Sequence, residues 1–184
     1  MTKKIILLAG PTASGKSKLA IKLAQKINGE IINADSMQVF KEFNILSSRP
    51  PFAEVKKVKH HLYGIISVKK YFSAGDWLKK TKKEIYKCLK RKKIPIIVGG
   101  TGLYFNTITK GISKIPDIDL KIRNKVRNQY KKLGLKKFYN NLIQLDPKIN
   151  GRISPNDSQR LQRAYEVKLK TKKSLFDWFA NTKS

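Results

Sequence analysis

Residues 10–17 read GPTASGKS and satisfy the spacing G-x-x-x-x-G-K-[S/T] at every fixed position, with Gly10, Gly15, Lys16 and Ser17. This spacing suits a loop that wraps phosphate. Its glycines let successive backbone N–H groups turn inward, the following helix adds positive potential, Lys16 meets phosphate charge, and Ser17 can bind Mg²⁺. The pattern does not say whether the ligand is a nucleoside triphosphate or another diphosphate. Three further stretches carry chemistry. Asp35, at the end of a second apolar run, can be a general base, a Mg²⁺ ligand or a helix cap. Gln38 beside it is an amide able to read a base edge. Thr101, in VGGTGLYF (residues 98–105), offers a hydroxyl at a helix start just after two glycines. In RISPNDSQRLQRAYEV (residues 152–167), Gln159, Gln162, Arg163 and Glu166 fall together on a helix, with Arg160 and Arg163 three apart. Basic and amide groups of this kind suit phosphate and base contacts, while Leu161, Ala164, Tyr165 and Leu169 can pack inward.

The elements that must position these residues follow from periodicity. Residues 4–9 read as a buried strand, 17–27 as a helix stopped near Gly29, and 30–33 as a second strand. Residues 76–91 read as a helix, 94–98 as a buried strand ending in Gly99-Gly100, and 101–109 as a helix. Residues 40–71 resist assignment, and Pro50-Pro51 breaks any element there. Alternating strands and helices predict an α/β class: a P-loop NTPase-like parallel sheet with ligands at the carboxyl ends of its strands. After a connector at 111–119 only helices are expected, at 120–133, 136–145 and 157–169, with Asp157 as N-cap of the last. The division is therefore an α/β core at 1–112 and a basic helical appendage at 113–184.

Composition narrows the partners. The chain has 184 residues, 40% of them hydrophobic, and 41 Lys and Arg against 12 Asp and Glu, a formal charge of +29. That excess attracts polyanions, nucleic acid foremost, although Lys-rich helical faces such as residues 79–93 are also simply well solvated. The opening apolar run is too short for a signal peptide or a membrane span. Cys88 is the one cysteine, so no internal disulfide forms; this fits a cytoplasmic, reducing setting and a structural thiol. His60 and His61 are adjacent, their side chains should diverge, and no zinc site is expected.

Taken together, GPTASGKS, ADSMQVF, HHL, YFSAGDW, PIIVGGTGLYF and RISPNDSQRLQRAYEV stand in the order found in tRNA dimethylallyltransferases, also called tRNA isopentenyltransferases. The chain resembles that family from about residue 4 to residue 171. The resemblance implies that the loop holds the diphosphate of dimethylallyl diphosphate, with Mg²⁺, through Gly10, Pro11, Thr12, Ala13, Ser14, Gly15, Lys16 and Ser17. The prenyl group would pass to N6 of adenine 37, beside the anticodon, in tRNAs reading codons that begin with U. The base would be flipped from its stack to react. By motif position, Asp35 takes the N6 proton, while Thr101, Lys16 and Arg123 stabilise the departing diphosphate. Asp35, Ser36, Met37, Gln38, Thr101 and Arg123, with Gln159, Arg160, Leu161, Gln162 and Arg163, contact the anticodon stem-loop. Ser17 would hold the metal. A cytoplasmic monomer with no membrane partner is expected. The rival readings are a small P-loop kinase using ATP, a transferase acting on free adenine nucleotides, and a tRNA-binding protein without turnover.

Two local departures stand out: Phe40 where the family usually has Tyr, and ILSSRP (residues 45–50) where it has a stretch of the IGTAKP type. Arg49 keeps a positive charge there. Members usually also continue well past the position of Ser184; an end there would uncover a sheet edge and weaken the grip on tRNA.

Overall fold

The computed structural model describes residues 4–43, 47 and 49–180, which divide into two units at Lys110 and Gly111. The ILSSRP departure therefore lies partly outside the described residues.

The first unit is built on four parallel strands: β1 (Ile6–Ala9), β2 (Gly29–Asn33), the short β3 (His60–His61) and β4 (Ile94–Gly99). Their order is β1-β4-β2-β3, so the last strand to be made stands between the first two. Successive strand residues face opposite sides, and each side is apolar. On one side Ile31, Ile96 and Val98 pack against Ala20, Ile21 and Ala24 of helix α1 (Lys16–Ile27). On the other, Ile32 and Ile97 pack against Trp77, Leu78 and Ile85 of α3 (Ala74–Lys90) and Tyr104 of α4 (Gly102–Lys110). A four-residue helix, α2 (Phe52–Val55), lies between β2 and β3. The expected parallel α/β core is what folds.

Local chemistry sets the ends of these helices. α1 stops at Asn28, one residue before the expected Gly29, because Asn28 itself takes the left-handed conformation at φ 56. α3 begins two residues earlier than expected, since Ser73 and Asp76 form a reciprocal capping box. Hydrogen bonds from Ser73 hold the Asp76 carboxyl below its usual range.

The second unit is helical: α5 (Leu120–Leu145), a single 3₁₀ turn at Pro147–Ile149, α6 (Ser158–Thr171) and α7 (Leu175–Ala180). The two helices expected at 120–133 and 136–145 are joined, with a kink at Gly134 whose φ of 70 and ψ of 171 are not helical. Asp157 caps α6 as expected, accepting from the Arg160 N–H at 3.0 Å. Val126, Phe138, Leu142, Leu161, Ala164 and Val167 form the core, and α7, which no sequence signal announced, adds Leu175 to it. Among the described residues no helix is long and apolar enough to cross a membrane.

Candidate active site

Every chemical motif of the first unit falls at the carboxyl ends of the strands. The GPTASGKS loop leaves β1, Asp35 follows β2 and Thr101 follows β4. β4 fastens the other two. The Gly10 N–H donates to the Gly99 carbonyl at 3.2 Å, the Ala34 N–H to the Val98 carbonyl at 2.7 Å, and the Thr101 N–H to the Ala34 carbonyl at 3.2 Å. This close approach dictates glycine at 99. A Cβ there would sit 2.1 Å from the Ala34 carbonyl carbon and oxygen, far inside van der Waals contact.

The loop runs into α1 through Gly15, left-handed at φ 78, and no side chain caps that helix start. Its first-turn N–H groups therefore remain for an anion. Lys16 reaches back to donate to the Pro11 carbonyl at 2.6 Å. Asp35 is held from both ends. Its N–H donates to Asn33 Oδ1 at 3.0 Å, and its Oδ1 accepts from the Met37 N–H at 2.9 Å. Asn33 is fully buried and also donates through Nδ2 to the Asp35 and Leu62 carbonyls. The Thr101 hydroxyl accepts from the Ser36 N–H at 2.9 Å and donates to Ser36 Oγ at 3.2 Å. It thus fixes the segment that carries Asp35, the one role the structure gives it directly. Gln38 donates to the Ser47 carbonyl at 2.8 Å. Behind these residues Trp77 donates to the Asn33 carbonyl and stacks on Tyr104, centroids 4.3 Å apart. Burial and the nearby Asp35 charge push the Tyr104 hydroxyl up to about 12, and the same two causes raise Tyr63 further.

One cavity of about 380 Å³ gathers the loop, Asp35 and Gln38: it is lined by Thr12 to Lys18, Asp35, Gln38, Arg49, Pro50, Pro51 and Glu54, and Thr101 is not among its lining residues. The structure so joins the phosphate loop and Asp35, which follows the loop's last residue, Ser17, by 18 positions. Sequence reasoning gave no site role to Asn33, Pro50, Pro51 or Glu54. Only Asn33 carried a signal, as a polar residue inside an apolar strand. A second cavity, about 440 Å³ between β1, α3 and α4, is mostly apolar and shares no residue with the loop.

In the second unit Gln159 and Arg160 are exposed on α6, and Gln162 and Arg163 are half-buried. Arg160 pairs with Asp157 at 3.3 Å and Arg163 with Glu166 at 3.4 Å. Leu161, expected in the RNA-contacting group, has its side chain fully buried in the helical core, where it seats its neighbours. Arg123 stands in the first turn of α5, its N–H bonded to the Asp119 carbonyl.

The histidine pair diverges as the sequence implied: His60 Nδ1 faces the Val58 carbonyl at 2.7 Å. His61, however, belongs to a cluster that the sequence did not suggest. It lies 2.6 Å from Glu30 and 3.2 Å from Glu84, and Glu30, His61 and Cys88 bring one ligand atom each within 4.8 Å of one another. Arg91 donates twice to the same Glu30 carboxylate, at 3.2 and 2.6 Å, and so supplies its positive charge. Burial pushes Glu30 up, but hydrogen bonds from Arg91, His61 and Cys88 outweigh it and hold the carboxyl at about 2. Burial, then the Glu30 contact, raises the Cys88 thiol to about 12. That is the profile of an inert structural thiol.

A family model described as IPP transferase matches residues 38–184. Among curated proteins, the chain is 59% identical over 181 residues to a tRNA dimethylallyltransferase of Pelagibacter ubique (strain HTCC1062), covering 98% of this chain and 58% of that one. It is 46% identical over 179 residues to the protein of that name from Rickettsia felis (strain ATCC VR-1525 / URRWXCal2), again covering 58% of its length. Among solved structures it resembles a eukaryotic dimethylallyltransferase acting on tRNA, with TM-score 0.82 and 34% identity, covering 98% of this chain and 45% of that one. A tRNA isopentenylpyrophosphate transferase from Bacillus halodurans gives TM-score 0.60 at 33% identity, covering 95% of this chain and 57% of that one. The chain thus spans 58% of the length of these two curated relatives. With this loop, this aspartate and these matches, the chain belongs to the IPP transferase family.

Proposed function

We propose that the chain transfers a dimethylallyl group from dimethylallyl diphosphate to the exocyclic N6 of an adenine in tRNA, adenine 37 beside the anticodon. The observation that carries this reading is the shared cavity of the phosphate loop and the Asp35 carboxylate. A phosphoryl-transfer site can use the same two groups, and the family match is what turns the reading toward alkyl transfer. An alkyl transfer to a weakly nucleophilic amine also needs a base beside it.

The reaction forms a bond from N6 to C1 of the allyl group and breaks the bond from C1 to oxygen. The diphosphate leaves with the bonding pair, and the N6 proton passes to Asp35. The Asn33 and Met37 hydrogen bonds fix that carboxylate in place before substrate arrives. Lys16 and the uncapped start of α1 meet the charge growing on the leaving oxygens. Thr101 and Arg123 are assigned to the same task by motif position. The cavity also offers hard oxygen donors, Ser17, Asp35 and Glu54, which suit Mg²⁺; Ser17 would hold the ion against the diphosphate, where it neutralises charge. Exposed Gln159 and Arg160 are proposed to grip the anticodon stem-loop, and the +29 charge favours any such polyanion.

The test incubates the protein with Mg²⁺, labelled dimethylallyl diphosphate and an anticodon stem-loop carrying adenine 37. Label should enter the RNA with wild type and be lost with Asp35→Ala. Phosphate transfer from ATP in place of prenyl transfer would give the site to a kinase instead. Stem-loop binding without any transfer would leave a tRNA-binding protein.

A further inference from the structure

Arg49 lines the cavity of the phosphate loop, and among the described residues it forms no ion pair, although the Glu42 charge acts on it. Its Nε and Nη2 are shut off from water and have no hydrogen-bond partner among the described residues. A buried guanidinium with two unanswered donors is costly, and structural arginines in such positions are paired. Arg91 shows that pairing within the same unit, with two hydrogen bonds to Glu30. For Arg49, burial lowers the pKa and the Glu42 charge only partly restores it. Guanidinium stays protonated even so, and the positive charge remains in the cavity wall.

The fold also makes room for this side chain. Gly64 adopts φ +57, and a Cβ on it would lie 2.5 Å from Arg49 Nη1 and 3.1 Å from Cζ. Only glycine both tolerates that backbone and leaves the seat open. The seat is tied to the Asp35 segment, because the Gly64 N–H donates to the Gln38 carbonyl at 2.9 Å. A planar fork of N–H donors, fixed beside a phosphate loop, matches a pair of phosphate oxygens. Lys16 and Lys18 line the cavity too, opposed by the carboxylates of Asp35 and Glu54. One further cation tilts that balance toward an anion.

We propose that Arg49 is a phosphate-oxyanion-binding residue of this cavity, engaging the diphosphate of the prenyl donor beside Lys16. The proposal rests on the transferase reading for the identity of the diphosphate, though not for its charge. A backbone phosphate of the RNA presents the same oxyanion, so the experiment separates the two.

The probe is magnesium pyrophosphate, titrated calorimetrically into the full chain, with anticodon stem-loop RNA in a parallel arm. Arg49→Gln, which keeps most of the volume, should weaken pyrophosphate about 10- to 100-fold, the worth of a lost charge-assisted hydrogen bond. Arg49→Lys should fall between the two, and stem-loop affinity should not move. Gly64→Ala keeps the arginine but takes its seat, so it should weaken pyrophosphate in the same sense. Thermal melts confirm that each variant is folded. Equal pyrophosphate binding by wild type and Arg49→Gln would overturn the proposal. So would a loss confined to the RNA arm, or no pyrophosphate binding by wild type. If pyrophosphate binding behaves as expected while no prenyl transfer is seen, the transferase reading falls and the phosphate role of Arg49 stands.

Discussion

The first unit holds two polar clusters, one past the carboxyl ends of the strands and one around Glu30 toward the amino end of β2. They are opposites in how their groups are answered. Around Glu30 every charge meets another protein group: Arg91, His61 and Cys88 all converge on one carboxylate, and Glu84 takes the far side of His61. At the strand ends the backbone is just as tightly fastened, but the start of α1 and Nε and Nη2 of Arg49 are left with donors that no acceptor among the described residues meets. A cluster that satisfies itself stabilises the fold and has nothing left for a ligand. One that leaves donors unanswered beside a cavity keeps them for an anion. By this measure Glu30, His61 and Cys88 are structure, for all that their residue types could ligate a metal.

The contrast can be broken in four ways. The largest effect is expected at Asp35. Asp35→Ala should lower prenyl transfer about 10²- to 10⁴-fold, the usual contribution of a positioned base, as read by label incorporated under single-turnover conditions. Its stability should fall by no more than about 1 kcal/mol, the loss of one exposed hydrogen bond. Glu30→Ala should do the reverse. Removing the buried carboxylate leaves the hydrogen bonds of His61 and Cys88 unanswered, which should cost about 1–3 kcal/mol in urea unfolding, and turnover of the remaining folded protein should be unchanged. A Glu30 variant that kept its stability and lost activity would reverse the two assignments.

Acid gives another handle on the same cluster. The Glu30 carboxyl lies at about 2 when folded against 4.5 as its ordinary value, so the unfolded chain binds the proton more readily. Its stabilisation is complete above about pH 5 and is lost as pH falls toward 2, on the order of 3 kcal/mol in all. Unfolding free energy followed from pH 6 to pH 2.5 should show that loss in wild type and a flatter curve in Glu30→Gln. The smallest change is expected in the second unit. Arg160 is exposed and paired only with Asp157 at the surface, so Arg160→Ala should leave stability within about 0.5 kcal/mol. If it contacts RNA phosphate, the slope of log affinity against log salt should fall by about 1.

Much of this was readable from the chain alone, and the division follows sequence distance. The phosphate loop is a local pattern, and the strand, loop and helix around it declare their own periods, so Gly10 to Ser17 and the limits of α1 were legible within a residue or two. Asp35 and Thr101 were placed because parallel strands put their carboxyl ends on one edge. The Gly134 break and the Asp157 cap were also local. What escaped depends on residues far apart in sequence. Glu30 meets His61 31 positions later and Arg91 61 positions later, with no periodicity to announce either contact. The seat of Arg49 at Gly64 belongs to the stretch 40–71, where two prolines and short elements leave no pattern to read. Leu161 shows a different limit. It stands inside a motif that resembles an RNA-contacting stretch, but its helical face turns it into the core.

The order of the sheet has a consequence for how the protein is made. Ile6 pairs with Ile96, and the Gly10 N–H bonds to the carbonyl of Gly99. β1 and its loop leave the ribosome well before the strand that fixes them, which is synthesised about 90 residues later. At about 5–20 residues per second, that is a wait on the order of 5 to 20 seconds with Ile6 and Leu8 unpaired. β2 can pair with β3 sooner, but its other edge waits for β4, which separates it from β1. The emergence of residues 94–99 is therefore the event on which the sheet depends. Codon choice or pausing ahead of that segment would lengthen the time the early strands need protection. The phosphate loop takes its working shape only once β4, which follows it in the chain, has been made.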